Sequence, residues 1–133
     1  MANLENMKLE FLRQTAKKAF FKVTFKIKQN SFEKGMDELR WDCKYRLHGA
    51  DANGVKVPLG IGPFHKTFGP SDKTYIQCSF NTDLELKYLD EDPWFTFPHN
   101  EDEICVKIDL EPFLPGIVSD SDYSDWIRRQ FGT

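Results

Sequence analysis

The chain is poor in cysteine and histidine, and these shortages exclude several kinds of site. It holds 3 cysteines and 3 histidines among 133 residues. The cysteines are odd in number, lie far apart and include no C-x-x-C pair, so they predict neither a disulfide framework nor a zinc knuckle. The histidines form no H-x-x-x-H or H-E-x-x-H array, which removes the common metalloprotease pattern. We therefore expect no bound metal and no cofactor.

Long apolar runs and a secretory signal are also missing. No segment approaches the ~20 continuous apolar residues that a membrane helix requires. Residues 1–10 mix charged with apolar side chains, unlike the apolar core of a signal peptide. The apolar content of 40% is too high for a disordered chain. Because the length is close to the ~100–150 residues of a typical domain, we predict that residues 1–133 form one cytoplasmic domain without membrane contact.

Motifs that mark catalysis are absent as well. Residues 60–72 are predicted to form a loop. This segment contains a Lys-Thr pair, as a phosphate-binding loop does, but His65 occupies the place of the glycine required before the lysine. Pro63 also lacks the backbone N–H that would face a phosphate. No serine has the flanking glycines of a nucleophile elbow. We predict no catalytic residue and a protein that is not an enzyme.

The net charge of −3 conceals two halves of opposite sign. Residues 1–80 carry 14 Lys and Arg against 8 Asp and Glu, whereas residues 81–133 carry 4 against 13. Such asymmetry indicates either separate basic and acidic surfaces for partners or two halves that complement each other within one fold.

Alternation of side chains is the strongest pattern present. Residues 20–28 and 39–48 alternate apolar with charged side chains, which predicts two strands that each have an apolar and a basic face. If the two strands pair, their basic face gathers six residues: Lys22, Lys26, Lys28, Arg40, Lys44 and Arg46. Of the strand aromatics only Phe20 shares that face, whereas base stacking requires aromatics there. The face therefore favours phosphate groups or an acidic protein.

Helices are predicted at both ends of the chain. Leu4, Met7 and Phe11 recur at helical spacing over residues 3–18. Tyr123 and Ile127 do so over residues 120–131, a segment with acidic residues at its start. These segments flank a predicted series of strands, so we expect the two helices to cover the apolar face of a sheet.

Four further strands are predicted at 55–61, 74–81, 84–89 and 104–110. The Asn53-Gly54 pair predicts a tight hairpin before the first of them, and residues 81–83 predict another between the second and third. The predicted fold class is α+β, with a single bent, barrel-like antiparallel sheet of about six strands packed by an N-terminal and a C-terminal helix. A two-sheet β-sandwich is the alternative.

The three cysteines are predicted to differ in exposure. Cys43 and Cys78 share the strand face of their apolar neighbours, where a free cysteine is usually buried. Cys105 is out of phase with Ile104 and Val106, which predicts that it is the more exposed and reactive thiol.

Residues 90–103 have the most unusual composition. The aromatics Trp94, Phe95 and Phe97 lie between two prolines and are bracketed by acidic residues: Asp90, Glu91, Asp92, Glu101 and Asp102. Aromatic side chains on a proline-stiffened loop lose little entropy on docking, and Trp is enriched in interface hot spots. The segment predicts a protein-binding loop, with inward-folded aromatics that cap the core as the alternative.

Taken together, these features predict a small non-catalytic protein that binds, and inhibits or neutralises, a macromolecular partner. Inhibitors, immunity proteins and phage-encoded antagonists act in this way, and the expected partner is another protein. One alternative is a nucleic-acid-binding protein that uses the basic face of the first two strands. Another is a carrier of a small apolar ligand inside a barrel lined by Phe.

Overall fold

The computed structural model describes residues 3–50, 54–85, 103–113 and 119–128. Of these residues 66% are in strands and 4% in a helix, and the strands form two antiparallel sheets. The predicted α+β fold with terminal helices is therefore wrong, and the two-sheet alternative agrees with the structure. Within the same ranges no helix has the length and apolar character to cross a membrane.

The described part of the chain contains nine strands and one short helix: β1 (Leu4–Gln14), β2 (Lys18–Lys28), α1 (Ser31–Lys34), β3 (Trp41–Ala50), β4 (Lys56–Pro58), β5 (Phe64–Phe68), β6 (Tyr75–Glu85), β7 (Glu103–Pro112), β8 (Asp120–Tyr123) and β9 (Ile127–Arg128). The first sheet has the order β1-β2-β6. The second follows the order β4-β3-β7-β8, with β5 also paired to β3 and β9 also paired to β7. The second sheet combines strands from the basic and the acidic half of the sequence, whereas in the first only residues 81–85 of β6 come from the acidic half.

β1 replaces the predicted N-terminal helix, and a bulge explains the misleading spacing. Asn6 has a φ of 54°, and β1 gains one residue relative to β2 between Glu5 and Lys8. A bulge of this kind changes which alternate residues face inward. Leu4 and Leu9 are therefore both buried although they lie five positions apart, a spacing that a regular strand does not produce.

β8 and β9 replace the predicted C-terminal helix. Both pair with β7, and residues 124–126 interrupt the pairing between them. Ser124 N–H donates to Val106 O over 2.9 Å, and Val106 N–H donates to Ser124 Oγ over 3.0 Å, so β7 keeps its hydrogen bonds across the interruption. Tyr123 and Ile127 are thus four residues apart, as in a helix, because an irregular segment separates two short strands.

β2 and β3 lie in different sheets, which corrects the prediction that they pair. β2 pairs with β1 and β6, whereas β3 pairs with β4, β5 and β7. Their connection contains α1, which begins with a capping box: Glu33 N–H donates to the Asn30 side chain, and Asn30 N–H donates to the Glu33 side chain. This turn leads the chain from one sheet to the other instead of closing a hairpin.

Other predicted strands are confirmed with shifted ends. β2 and β7 contain the predicted strands at 20–28 and 104–110, and β4 pairs antiparallel with β3, as the Asn53-Gly54 pair predicts. β6 runs unbroken through residues 81–83, so the tight hairpin predicted there is wrong. β5 lies inside the predicted loop at 60–72. Residues 51–53 and 86–89 lie outside the described ranges.

The core lies between the two sheets. Phe25 on β2 makes an edge-to-face contact with Phe68 on β5, with ring centroids 5.6 Å apart, and Tyr45 on β3 lies 4.4 Å from Phe80 on β6. β2 alternates strictly between buried and less buried residues, and its inward side chains, together with those of β3 and β7, fill the space between the sheets. The polar outer faces of the sheets therefore point in opposite directions.

Candidate functional site

The structure divides the predicted basic face between the two sheets. Lys22, Lys26 and Lys28 alternate with the buried residues of β2 and lie on the outer face of the three-stranded sheet. Lys44 and Arg46 lie on the outer face of β3 in the other sheet. Arg40 precedes β3 and is not part of either face. The prediction of a single basic face fails because its premise, the pairing of β2 with β3, is wrong.

The predicted aromatic loop cannot be placed on either sheet. Trp94, Phe95 and Phe97 lie outside the described residues, as do the acidic residues around them: Asp90, Glu91, Asp92, Glu101 and Asp102. Their role in partner binding stays a prediction.

The outer face of the three-stranded sheet carries a group that we call the lysine face: Lys8, Lys22, Lys26 and Lys28. Lys8 forms an ion pair with Glu10, with 3.3 Å between Nζ and Oε1, and Glu10 lies opposite Lys22. Tyr75 lies opposite Lys28, and the Lys26 ammonium lies 5.6 Å from the centre of the Tyr75 ring. Tyr75 is therefore a second aromatic residue on this face, in addition to Phe20.

On the outer face of the larger sheet, part of the charge is neutralised by ion pairs. Lys44 Nζ lies 3.3 Å from Glu111 Oε1. His65 Nδ1 lies 3.2 Å from Oδ2 of the buried Asp42. Both contacts join neighbouring strands diagonally, because the register places Lys44 opposite Asp109 and His65, and Asp42 opposite Glu111 and Thr67. This end of the face therefore carries charges of both signs that lie within contact of each other. Lys44, which the sequence placed in the basic face, is thus paired within the fold.

At the other end of this face lies a group that we call the basic-aromatic cluster: His48, Lys56, Lys107, Tyr123 and Trp126. Three basic groups surround the Tyr123 ring: Lys56 Nζ at 4.9 Å, Lys107 Nζ at 5.7 Å and the His48 ring at 5.4 Å from its centroid. Lys56 also lies 5.3 Å from the Trp126 ring. Attraction of ammonium groups to the negative face of an aromatic ring holds the two lysines in this arrangement.

Strand register brings the cluster together from four segments of the chain. His48 and Lys107 lie on the adjacent strands β3 and β7, Tyr123 lies opposite Lys107 on β8, and β4 places Lys56 opposite Ala50 at the end of β3. The sequence separates these residues by up to 75 positions. Only the pairing of β3 with both β4 and β7 makes them neighbours.

Cys105 lies beneath the cluster, and its predicted exposure is wrong. It is opposite His48 in the register of β3 and β7 and faces outward, yet its exposed fraction is 0%. Burial raises its pKa to about 12, with a small opposing effect from Lys56. The thiol is covered because Lys56 extends across this end of the sheet toward Tyr123 and Trp126. A thiol with this pKa is not a nucleophile at neutral pH.

The cluster carries more positive than negative charge. Arg46 lies directly opposite Lys107, an arrangement of like charges that destabilises a sheet. The Arg46 guanidinium donates to Gly60 O over 2.7 Å, and its buried Nε has no hydrogen-bond partner among the described residues. Lys107 Nζ lies 3.7 Å from Asp109 Oδ1, but within the described ranges no carboxylate lies at ion-pair distance from Arg46 or Lys56.

The positive charge of the cluster affects the pKa of His48. Burial lowers its pKa, and the positive charges of Lys107 and Arg46 lower it further, against the opposing effects of a hydrogen bond to the Arg46 carbonyl and of Asp109. The contact between His48 Nδ1 and Arg46 O, 3.2 Å long, assigns the proton of the neutral ring to Nδ1, because a carbonyl only accepts. His48 Nε2 is then the atom that gains a proton when the ring becomes charged.

Other features of the described residues offer less for chemistry. No group of three or more His, Cys, Asp and Glu side chains in the described ranges is arranged to hold a metal ion. A cavity between the sheets beside Tyr45 and Leu84 has a volume of about 10 Å³, enough for one water. A groove of about 420 Å³ runs between the β1 bulge and Asp125. The cavity beside Tyr45 gives no support to the alternative of a ligand carrier.

None of the five members of the cluster was among the predicted site residues. Lys56 follows the Asn-Gly hairpin, so its position beside the end of β3 could have been predicted from that turn. Tyr123 and Trp126 were hidden because the spacing of their segment predicts a helix. The alternation of His48 with the apolar residues of β3 does place it on the outer face.

No protein-family model matches the chain, and no curated protein matches it. Solved structures that are similar to it include the following two. A protein from Archaeoglobus fulgidus is 16% identical with a TM-score of 0.49, over 96% of this chain and 98% of that one. A target of the Northeast Structural Genomics Consortium is 16% identical with a TM-score of 0.42, over 95% of this chain and 84% of that one. Neither description states an activity.

Proposed function

We propose that this protein is a non-catalytic binding protein that holds an anionic group of a macromolecular partner, most simply another protein, at the basic-aromatic cluster. The observation that carries the proposal is the set of three basic groups within 6 Å of the Tyr123 ring centroid. Two of them are permanently charged lysines, and Arg46 adds a third permanent charge opposite Lys107. An anion that binds here relieves the repulsion between these groups.

The chemistry of the cluster supports binding more than catalysis. Its lysines offer rotatable hydrogen-bond donors on flexible stems, which suit an anion of a partner. The thiol beneath them is buried, with a pKa of about 12, so it supplies no thiolate. Inhibition or neutralisation of the partner, as by an inhibitor, an immunity protein or a phage-encoded antagonist, stays a prediction that requires the partner to be identified.

Thermal unfolding in different anions tests the site. Phosphate, sulfate and acetate are compared with chloride at constant ionic strength, since a ligand that binds only the folded state raises the melting temperature. We expect at least one oxyanion to stabilise the wild type, and the double variant Lys56→Gln, Lys107→Gln to lose that stabilisation. Lys44→Gln is the matched control because it changes a lysine of the same face that is already paired with Glu111.

The outcome that contradicts the proposal is equal stabilisation of the wild type and the double variant by every anion. Loss of the effect in the Lys44→Gln control would also contradict it, because the effect would then depend on overall charge. Far-UV circular dichroism of each variant establishes that the fold is retained.

Nucleic-acid binding is a second candidate, now on the lysine face alone. The observation that favours it is Tyr75, which shares this face with Lys26 and Lys28 and is 41% exposed. Proteins that bind single strands combine cationic side chains with aromatic rings on which bases stack. We expect a labelled single-stranded oligonucleotide to bind with an affinity that falls steeply with salt, and Tyr75→Ala to weaken it. Failure of the oligonucleotide to bind at low salt would contradict this candidate.

A further inference from the structure

The charged and titratable groups of the basic-aromatic cluster favour one class of anion over another. Arg46, Lys56 and Lys107 provide three permanent positive charges, and Asp109 is the carboxylate at ion-pair distance from one of them. His48 adds a titratable group whose Nε2 is unprotonated in the neutral ring, as its Nδ1 contact requires. Tyr123 adds a hydroxyl, which can donate or accept a hydrogen bond.

We infer that the anion held at this cluster is a phosphate monoester, and that its binding is accompanied by proton uptake at His48. The inference rests on the proposed function and names the ligand of the same site. A phosphate monoester carries a charge of about −1.5 to −2 near pH 7 and three acceptor oxygens. It therefore matches an excess of two positive charges, whereas a carboxylate brings one negative charge and offsets only part of that excess.

The groups that face His48 support proton uptake when an anion binds. They come from its own strand and from β4, β7 and β8: Arg46, Lys56, Cys105, Lys107, Asp109 and Tyr123. Glu103, the next outward residue of β7 beyond Cys105, lies at the same end of the face and is opposite Arg128 of β9. The net effect of burial and of the neighbouring cations is to lower the pKa of His48. A dianion among the same groups offsets this excess of two positive charges and therefore favours the imidazolium. Its Nε2–H then becomes a further donor to the anion.

The pH profile of binding separates a phosphate monoester from a carboxylate. The second pKa of a phosphate monoester is about 6, so the dianion is lost at low pH, while the His48 proton is lost at high pH. Affinity for the phosphate is therefore expected to pass through a maximum. Acetate keeps nearly all of its single charge above about pH 6, so from there its affinity is expected only to fall as His48 loses its proton.

The experiment measures dissociation constants from pH 5 to pH 8 by amide chemical shifts of β4 and β8, with phenyl phosphate, inorganic phosphate, a phosphoserine peptide and acetate as probes. We expect each phosphate to bind about tenfold more tightly than acetate, a difference typical of one additional charged contact. The phosphoserine peptide as the tightest probe supports a phosphorylated side chain as the ligand. Inorganic phosphate as the tightest probe indicates a free-phosphate ligand and contradicts the monoester assignment.

Two variants make the interpretation specific. In His48→Gln the phosphate affinity is expected to rise with pH to a plateau, because the group that would lose its proton at high pH is absent. For the same reason the acetate affinity is expected not to fall with rising pH. In Lys56→Gln both affinities fall, whereas Lys44→Gln binds as the wild type does. Lys56 is exposed, so its substitution leaves the fold intact.

The failure of this inference differs from the failure of the proposed function. If acetate binds as tightly as phosphate and both profiles fall with pH, the site holds an anion but the phosphate assignment is wrong. If His48→Gln leaves the phosphate profile unchanged, proton uptake at His48 is wrong. If no probe shifts the amides of β4 or β8, both the site and its ligand are wrong.

Discussion

At the scale of single residues, Asn6 shows how one backbone angle redirects a strand. Its φ of 54° is positive, a region that Asn tolerates and that β-branched residues occupy only with strain. The bulge around it allows both Leu4 and Leu9 to face the core. The packing of the first strand therefore depends on a residue whose own side chain is exposed.

Substitution of Asn6 tests this role. Asn6→Val is expected to lower the free energy of unfolding by about 1–2 kcal/mol, because a β-branched residue is strained at positive φ. Asn6→Gly is the control and should change it by less than about 0.5 kcal/mol, since glycine adopts this conformation without strain. Urea unfolding followed by circular dichroism gives both values, and equal losses in the two variants would contradict the assignment.

His48 couples stability to pH at the same scale. Its folded-state pKa is lowered from 6.5 by burial, so between that lowered value and pH 6.5 the unfolded chain binds more protons than the folded chain. The free energy of unfolding is therefore expected to decrease as pH falls from 6.5 through the folded-state pKa. His48→Gln should show a weaker decrease over this window. The measurement is urea unfolding at several pH values in a chloride buffer, free of oxyanions that would bind the cluster.

An unchanged pH dependence in His48→Gln would show that other groups titrate in this window. The buffer matters because an anion at the cluster raises the pKa of His48 and reduces the effect that is measured.

At the scale of elements, β1 is an edge strand that Asp120 of β8 holds at its start. The backbone N–H groups of Asn3 and Leu4 both donate to Asp120 Oδ2, each over 2.9 Å. These two hydrogen bonds connect the edges of the two sheets, since β1 and β8 belong to different ones. The aspartates at 120–125 suggest the start of a helix, but in the fold Asp120 instead caps a distant strand.

Removal of this carboxylate is expected to loosen β1. Asp120→Ala should lower the free energy of unfolding by about 1–3 kcal/mol, because two partly buried N–H groups lose a charged acceptor. Asp122→Ala is the matched control: its carboxylate is exposed and accepts from the neighbouring Tyr123 N–H. Hydrogen exchange of the Asn3 and Leu4 amides, measured beside urea unfolding, locates the effect. Equal losses in the two variants would contradict the specific role of Asp120.

At the scale of the whole molecule, the two oppositely charged halves of the sequence are interleaved. Lys18 pairs with Asp83 and Lys44 with Glu111, and each pair joins a residue of the basic half to a residue of the acidic half. Within the described ranges the halves therefore complement each other in one fold. The acidic residues at 90–102 lie outside those ranges and keep their predicted role in partner binding.

The shared core is what joins the sheets, and Phe25 is central to it. Its ring contacts Phe68 from the larger sheet and Phe80 from its own, both edge to face. Phe25→Ala is expected to lower the free energy of unfolding by about 3–5 kcal/mol through the cavity it leaves. Phe32→Ala is the control, because Phe32 is 68% exposed and its loss should cost less than about 0.5 kcal/mol. Urea unfolding distinguishes them, and similar values would contradict this description of the core.

Sequence alone determined the strand character of three long segments. Val23 and Phe25, Cys43 and Tyr45, and Val106 and Ile108 sit at alternating positions that a strand must bury on one side, and such alternation is a local property of the chain. The position of Pro58 at the end of an edge strand also follows from its missing N–H. For the candidate site, this alternation puts His48 on an outer face.

Tertiary structure decided which strands share a sheet, and therefore which charges meet. β2 and β3 have similar patterns, but one pairs with β1 and the other with β7, so Lys26 and Lys44 lie on opposite sides of the molecule. The bulges at Asn6 and after Tyr123 gave two strand segments the spacing of helices. Pairing and bulges depend on contacts between distant residues, and for that reason Lys56, Lys107 and Tyr123 became neighbours only in the folded chain.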